Sequence, residues 1–187
     1  MPMGPTKLLK KLSSQGQTIL HSIAREDIRL QYTFIKRLGS GSFGTVRIAH
    51  KTSNPEMKFA VKSIKRDQIL ASKSEQELIQ ELLILRAVDH PNIIKLNEVY
   101  LDHQYLHIVT ELMEGGEVDP KNQPNGRYTE QEAAKMVRQC LKALNYLHGL
   151  NIVHRDIKTE NVLLCKNKQF AKLIDFGFSK FCSQKHK

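Results

Sequence analysis

No stretch of the 187-residue chain stays apolar over the roughly 20 positions that a membrane-crossing helix needs. The N-terminus also lacks the apolar core and small-residue cleavage site of a secretion signal. A soluble, cytoplasmic chain without stable membrane insertion is therefore expected. Cysteine is scarce: Cys140, Cys165 and Cys182 are odd in number and show no C-x-x-C spacing, which argues against a disulfide framework or a zinc site. They read as reduced, structural thiols. Aromatic residues make up 6% of the chain and none forms a stacking motif beside the basic residues. The net charge of +10 is accordingly assigned to solvated surface, with no nucleic-acid partner. A D-x-D-x-D-G calcium loop is absent too, so nothing in the chain itself claims calcium dependence. What is present, 40% hydrophobic residues, suffices for a buried core in one or two domains.

Residues 1–31 set Lys7, Lys10 and Lys11 among Leu8, Leu9 and Leu12 and read as a basic, partly ordered N-terminal extension. Met3-Gly4 is not a myristoylation signal, because the acceptor glycine must follow the initiator methionine directly. From Tyr32 the pattern becomes strand-like, through Leu38-Gly39-Ser40-Gly41-Ser42-Phe43-Gly44-Thr45-Val46 and on to Ala49. A dinucleotide-binding G-x-G-x-x-G must open a helix, whereas Thr45-Val46-Arg47-Ile48-Ala49 alternates and is β-branched. The glycines therefore belong in a hairpin, where bare backbone N–H groups can approach phosphate oxygens. Phe43 is placed to cap the turn, and Val46 to lie against an apolar base.

The next strand, Phe59-Ala60-Val61-Lys62-Ser63-Ile64, carries a lysine that is costly to bury without a carboxylate. The helical segment from about Ser74 to Val88 supplies one: Glu81 shares the inward stripe of Leu78, Leu82 and Leu85, while Glu75 and Glu77 suit the surface. A Lys62–Glu81 ion pair is expected, with Lys62 also reaching phosphates. Ile93-Ile94-Lys95-Leu96 and Tyr105 to Thr110 read as further strands. Glu111 to Glu117 then breaks into glycines and reads as a hinge, where backbone groups of Glu111 and Met113 could bond an adenine edge. Pro120, Pro124 and Asn125-Gly126 make a regular helix over 118–127 improbable. Thr129-Glu130-Gln131-Glu132 is a capping box, opening a helix with an apolar stripe of Ala133, Val137, Cys140, Leu141, Leu144 and Leu147 that ends near Gly149.

That helix leads into Val153-His154-Arg155-Asp156-Ile157-Lys158-Thr159-Glu160-Asn161-Val162-Leu163-Leu164, with Asp175-Phe176-Gly177 behind it. Asp156 suits acceptance of a hydroxyl proton. Asn161 and Asp175 are hard oxygen ligands suited to Mg²⁺.

In this order the pieces resemble a eukaryotic protein kinase domain from about Tyr32 onward. Lys158, two residues after Asp156, is similar to the serine/threonine type. Gly-Ser-Phe-Gly, Asp89-His90-Pro91-Asn92-Ile93 and Gly115-Gly116-Glu117 look most like the calcium/calmodulin-dependent and calcium-dependent kinases. The resemblance implies an α+β fold, with an antiparallel sheet and one key helix over 32–110, a hinge at 111–117, and the first part of a mainly helical lobe over 118–187. It implies ATP and Mg²⁺ as cofactors and a protein substrate with a Ser or Thr acceptor.

Carried over residue by residue, Asp156 would orient and deprotonate that hydroxyl, and Lys158 would offset charge on the transferring group. Asn161 and Asp175 would hold the metal. Leu38, Val46, Ala60 and Leu163 would enclose adenine, with the loop Gly39 to Thr45 and Glu160 in the same nucleotide-facing set. Leu85, Leu96, His154 and Phe176 would stack as a spine, and Arg155 would bind a phosphorylated activation loop. Glu117 would meet a ribose hydroxyl or a basic substrate side chain. Thr159 departs from the usual proline, and the sequence stops at Lys187, soon after Gly177 and before any Ala-Pro-Glu segment. Two readings follow: an ATP-dependent serine/threonine kinase, or a truncated, non-catalytic kinase-like protein that at most binds nucleotide or a partner.

Overall fold

The computed structural model describes residues 23–41, 44–71, 75–122 and 126–182. Ser42, Phe43 and the basic leader around Lys7 to Lys11 lie outside the described residues. Among the described residues two compact units form, one from residues 23–79 with Lys95–Leu112, the other from Gln80–Ile94 with Met113 onward.

The first unit is a five-stranded antiparallel sheet of β1 (Tyr32–Gly41), β2 (Gly44–Lys51), β3 (Asn54–Lys65), β4 (Leu96–Leu101) and β5 (Tyr105–Glu111), in the order β1-β2-β3-β5-β4. Alternation drives it: Phe59, Val61 and Ser63 are buried on one face of β3, with Val61 paired to fully buried Val109 of β5, while Lys58 is exposed and Ala60 and Lys62 are half-buried. The expected glycine hairpin closes at Gly41 opposite Gly44. Gly44 has φ +126°, and a Cβ there would run into the Ser63 carbonyl, so only glycine fits.

Two expectations are corrected here. Residues 23–31 are built into this unit, not appended to it as an extension. Ala24 N–H donates to the Val99 carbonyl at 3.0 Å and its carbonyl accepts from Leu101 N–H at 2.9 Å, so the segment pairs in parallel with the otherwise open edge of β4. Asp27 caps a short 3-10 turn, Ile28–Leu30, that drives Ile28 into a cluster with Tyr32, Ala49, Phe59, Val61, Tyr100 and Val109. Ile93-Ile94 does not begin a strand with Leu96. Ile93 makes an isolated bridge to Leu173, and Ile94 N–H is committed to the Leu173 carbonyl at 2.9 Å, so strand pairing starts only at Leu96.

The short helix α1 (Arg66–Ala71) follows β3, and α2 (Glu75–Ala87) starts in the first unit and ends in the second. Leu78, Leu82 and Leu85 are buried, as is Glu81, and Glu77 is exposed, as the stripe predicts. In the second unit Asn92 pins the chain, its amide donating to the Ala171 carbonyl and to Gln139 Oε1. The helix α3 (Glu130–Gly149) opens on the expected reciprocal cap, Thr129 with Glu132. Its buried face agrees with the expected stripe at Leu147, and Ala133, Cys140 and Leu144 are half-buried, but Val137 and Leu141 are exposed while Met136 and Ala143 are buried instead. Beyond it lie a three-stranded sheet, β6 (Gly116–Glu117) with β8 (Val162–Leu164) and β9 (Ala171–Leu173), and a two-stranded one, β7 (Ile152–Val153) with β10 (Lys180–Phe181). Among the described residues no helix is long and apolar enough to cross a membrane.

Candidate active site

The catalytic-type residues of the second unit are held by backbone pairing on both flanks. β7 leads into His154 and β8 leads out of Asn161, so the loop between is stretched across two sheets. His154 is buried, packs edge-to-face on Phe176 at 4.9 Å, and its Nε2 donates to the Ile174 carbonyl at 3.0 Å. Burial pushes its pKa down, with that carbonyl pulling the other way. This fixes the loop against the Asp175-Phe176-Gly177 turn.

Asp156 then meets two partners. Lys158 Nζ lies 3.0 Å from its Oδ2, and Asn161 Nδ2 donates to the same oxygen at 2.8 Å and to the Asp156 carbonyl at 2.9 Å. Both partners of the Asn161 amide are acceptors, so its nitrogen must face Asp156 and its oxygen must point away. The Lys158 contact, aided by Asn161, holds the Asp156 carboxyl below its ordinary pKa, and Lys158 is raised in return. Asp156 is thus an ionised acceptor with a built-in counter-charge.

Asp175 follows directly. Ile174 N–H donates to the Asn161 carbonyl at 3.0 Å, and Asp175 itself takes φ +59°, an uncommon conformation for a non-glycine residue. Its Oδ1 accepts from Gly177 N–H at 3.3 Å. Arg155, at φ +67°, donates to the Phe178 carbonyl at 2.6 Å. Glu81 belongs to this unit: a Cβ on Gly177 would stand 3.8 Å from its Oε2, which puts that carboxylate beside the turn. Leu85 is buried on the same helix. Glu117 is exposed in β6 opposite half-buried Leu163 of β8, and Glu160 accepts from Thr159 Oγ1 at 3.1 Å in the exposed turn before Asn161. Gly115 must be glycine, since a Cβ would strike the carbonyls of Cys165 and Leu164.

The other expected residues lie in the sheet unit. Leu38, Gly39, Ser40 and Gly41 are on β1, with Leu38 52% exposed, and Gly44, Thr45 and Val46 are on β2. Val46 pairs with Lys62 across β2 and β3, and Ala60 is two residues before Lys62 on the same strand. Leu96 starts β4. Glu111 gives its N–H to the Lys95 carbonyl at 3.1 Å, and its Oε1 accepts from Lys95 N–H at 2.7 Å. Any ligand bond from the Glu111 backbone is thereby restricted to its carbonyl. Met113 is buried and opens the following segment of the second unit.

The protein kinase domain family matches residues 32–187. The chain belongs to the protein kinase family. It is 40% identical over 152 residues to calcium-dependent protein kinase 4 of Plasmodium berghei, covering 80% of this chain and 29% of that relative. It is 37% identical over 152 residues to calcium/calmodulin-dependent protein kinase type 1 of Macrobrachium nipponense, covering 80% and 44%. Myosin light chain kinase A of Dictyostelium discoideum is 39% identical over 155 residues, covering 82% and 52%. The chain thus spans from under a third to about half of these kinases' length.

The donor set of this kinase-family chain fits Mg²⁺: one carboxamide oxygen, turned away from Asp156, and the Asp175 carboxylate, with one oxygen bonded to Gly177 N–H, are hard ligands of the type that ion takes. Sequence reasoning missed the residues that hold the turn from behind. Ser179, 4% exposed, has its Oγ 3.3 Å from the His154 carbonyl, and its own carbonyl accepts from Gln80 Nε2 at 3.1 Å. Nothing in the sequence marks either residue, because only the pairing of β7 with β10 brings Ser179 under His154.

Proposed function

We propose that the chain carries the phosphoryl-transfer machinery of an ATP-dependent serine/threonine protein kinase, which moves the γ-phosphoryl group of ATP to a Ser or Thr hydroxyl of a protein substrate. The observation that carries the reading is the Asp156–Lys158–Asn161 cluster with Asp175 one hydrogen-bonded step away. A carboxylate held below its usual pKa is a weak base but a good acceptor. Asp156 therefore orients the substrate hydroxyl and takes its proton as the oxygen becomes acidic in the transfer. Lys158, already at Asp156, offsets negative charge there without any rearrangement.

Mg²⁺, when bound, supplies charge neutralisation on the phosphates, and Asn161 Oδ1 with the Asp175 carboxylate would hold it. Lys62 is assigned to phosphate oxygens with Glu81 as its partner, the hairpin Gly39 to Val46 to the phosphates, and Leu38, Val46, Ala60 and Leu163 to the adenine. The Glu111 carbonyl and Met113 N–H take the adenine edge. Glu117 and Glu160 face the ribose or a basic residue of the substrate. The division into a lobe at 32–110, a hinge at 111–117 and a lobe from 118, and a cytoplasmic location, belong to the same reading.

The test is phosphate transfer from labelled ATP to a basic Ser/Thr peptide by the purified chain, beside Asp156→Asn and Lys62→Met. Transfer well above both variants is expected. Transfer no greater than theirs would instead favour a protein that binds nucleotide or a partner without catalysis.

A further inference from the structure

The outer face of the sheet unit carries a concavity of about 1040 Å³ whose residues have no part in the chemistry above. It opens between the segment around Ile28 and the β4–β5 turn, and four arginines line it: Arg25, Arg29, Arg47 and Arg66. Its floor is polar and buried. Ser63 and His107, 3% and 5% exposed, are joined by a 2.8 Å bond from Ser63 Oγ to Nδ1, and His107 Nε2 lies 2.9 Å from Asp102 Oδ2. Asp102 can only accept, so Nε2 donates to it, and Nδ1 meets the Ser63 hydroxyl. The order Ser-His-Asp does not make a hydrolase here, because Ser63 is mid-strand and too enclosed for a scissile carbonyl to reach.

By formal charge the lining is only slightly basic, four arginines against three acids, so what the pocket takes turns on how committed those groups are. Three acids share it, Glu26, Asp27 and Asp102. Asp102 is spent on His107 and on the N–H groups of Gln104 and Tyr105, both at 2.7 Å, and Asp27 accepts from Arg29 N–H at 2.9 Å. The guanidiniums are less committed. Arg66 reaches the carbonyls of Asp102 and His103 only at 3.4 and 3.5 Å with one nitrogen, and Arg47 lies 5.7 Å over the Phe34 ring. Among the described residues neither Arg25 nor Arg29 makes a side-chain ion pair. Several guanidiniums around a space large enough for a small organic molecule exclude a cation, and they suit an anion that several of them can share: a phosphomonoester, with three acceptor oxygens and up to two charges, offers more to share than a carboxylate.

We propose that this pocket is a binding site for a phosphomonoester, carried either on a phosphorylated residue of a protein or on a free small molecule. The test uses the full chain with its histidine rings isotope-labelled, titrated with O-phospho-L-serine and with a short phosphoserine peptide, with serine and succinate as controls. The expected result is a saturable shift of the His107 ring signal by both phosphorylated probes and by neither control. Arg25→Gln with Arg29→Gln, both at exposed positions, should weaken binding at least about tenfold while leaving the His107 signal of the free protein in place. Arg66→Gln provides a second, independent loss. Tighter binding of the peptide than of phosphoserine assigns the site to phosphoproteins, and equal binding assigns it to small phosphomonoesters. The proposal is overturned by no saturable shift, by equal response to succinate, by arginine variants that bind like the parent, or by displacement of the probe with ATP.

Discussion

Asp156 and Lys158 stand 3.0 Å apart, and that pairing is a statement about protons. The carboxyl is held below its ordinary range chiefly by the Lys158 hydrogen bond, so the pair contributes stability above that range and loses it as pH falls through the depressed value. Lys158→Met should therefore move the Asp156 midpoint, read from its carboxyl carbon by NMR, back up towards about 3.9. An unmoved midpoint would remove Lys158 as the cause. His154 has the opposite sense. Its pKa is lowered, so the fold binds fewer protons than the unfolded chain just below about pH 6.5, and stability is present above that pH and drains as pH falls. Urea midpoints should fall between neutral and mildly acid pH, and less steeply in His154→Phe. His90, lowered by burial and by Lys172 and Lys142, would supply the slope that remains.

Elements show which parts of the fold were legible. The capping box was readable because it is local, two residues three apart in sequence bonding each other. Thr129→Ala should cost about 1 kcal/mol in urea unfolding, and an unchanged midpoint would mean that tertiary packing alone holds the helix start. The buried face of that same helix was not readable in full. Its stripe predicts burial of Leu147, which holds, and of Val137 and Leu141, yet the chain covers Met136 and Ala143 in their place, because β7 and β9 pack on a face that periodicity alone does not choose among similar apolar rows. Glycines divide likewise. Gly39, Gly41 and Gly44 could be placed in a hairpin because the residues after them, Thr45 to Ala49, alternate as a strand, but the need for glycine at 115 comes from the carbonyls of Leu164 and Cys165, far off in sequence. Gly115→Ala should destabilise the second unit by about 1 to 3 kcal/mol, the usual cost of forcing atoms into a filled space. The same variant should leave the β1–β3 amide signals in place.

At the scale of the whole molecule, the motifs assigned to chemistry are short local runs that a sequence can display, whereas the limit of the folded core is not. The family match starts at residue 32, and a charged, broken stretch before it reads as leader. Yet Ile23 and Ile28 are 9% and 1% exposed, Ala24 completes the edge of β4, and Tyr32 packs on Phe59 and Tyr100 with its hydroxyl on Glu98 at 2.6 Å. Two isolated isoleucines have no period, and an edge strand's need for a partner is invisible until the strand order is known. The consequence is measurable. Removing a buried isoleucine typically costs about 2 to 5 kcal/mol, against a domain stability of about 5 to 15 kcal/mol. Ile28→Ala should lower the urea midpoint of the sheet unit by a large fraction of its total, and a chain begun at Tyr32 should lose at least as much. A chain begun at Ile23 is the reference for that loss. Equal midpoints for the chains begun at Ile23 and Tyr32 would show that the segment merely rests on the sheet, and that the core ends where the family pattern does.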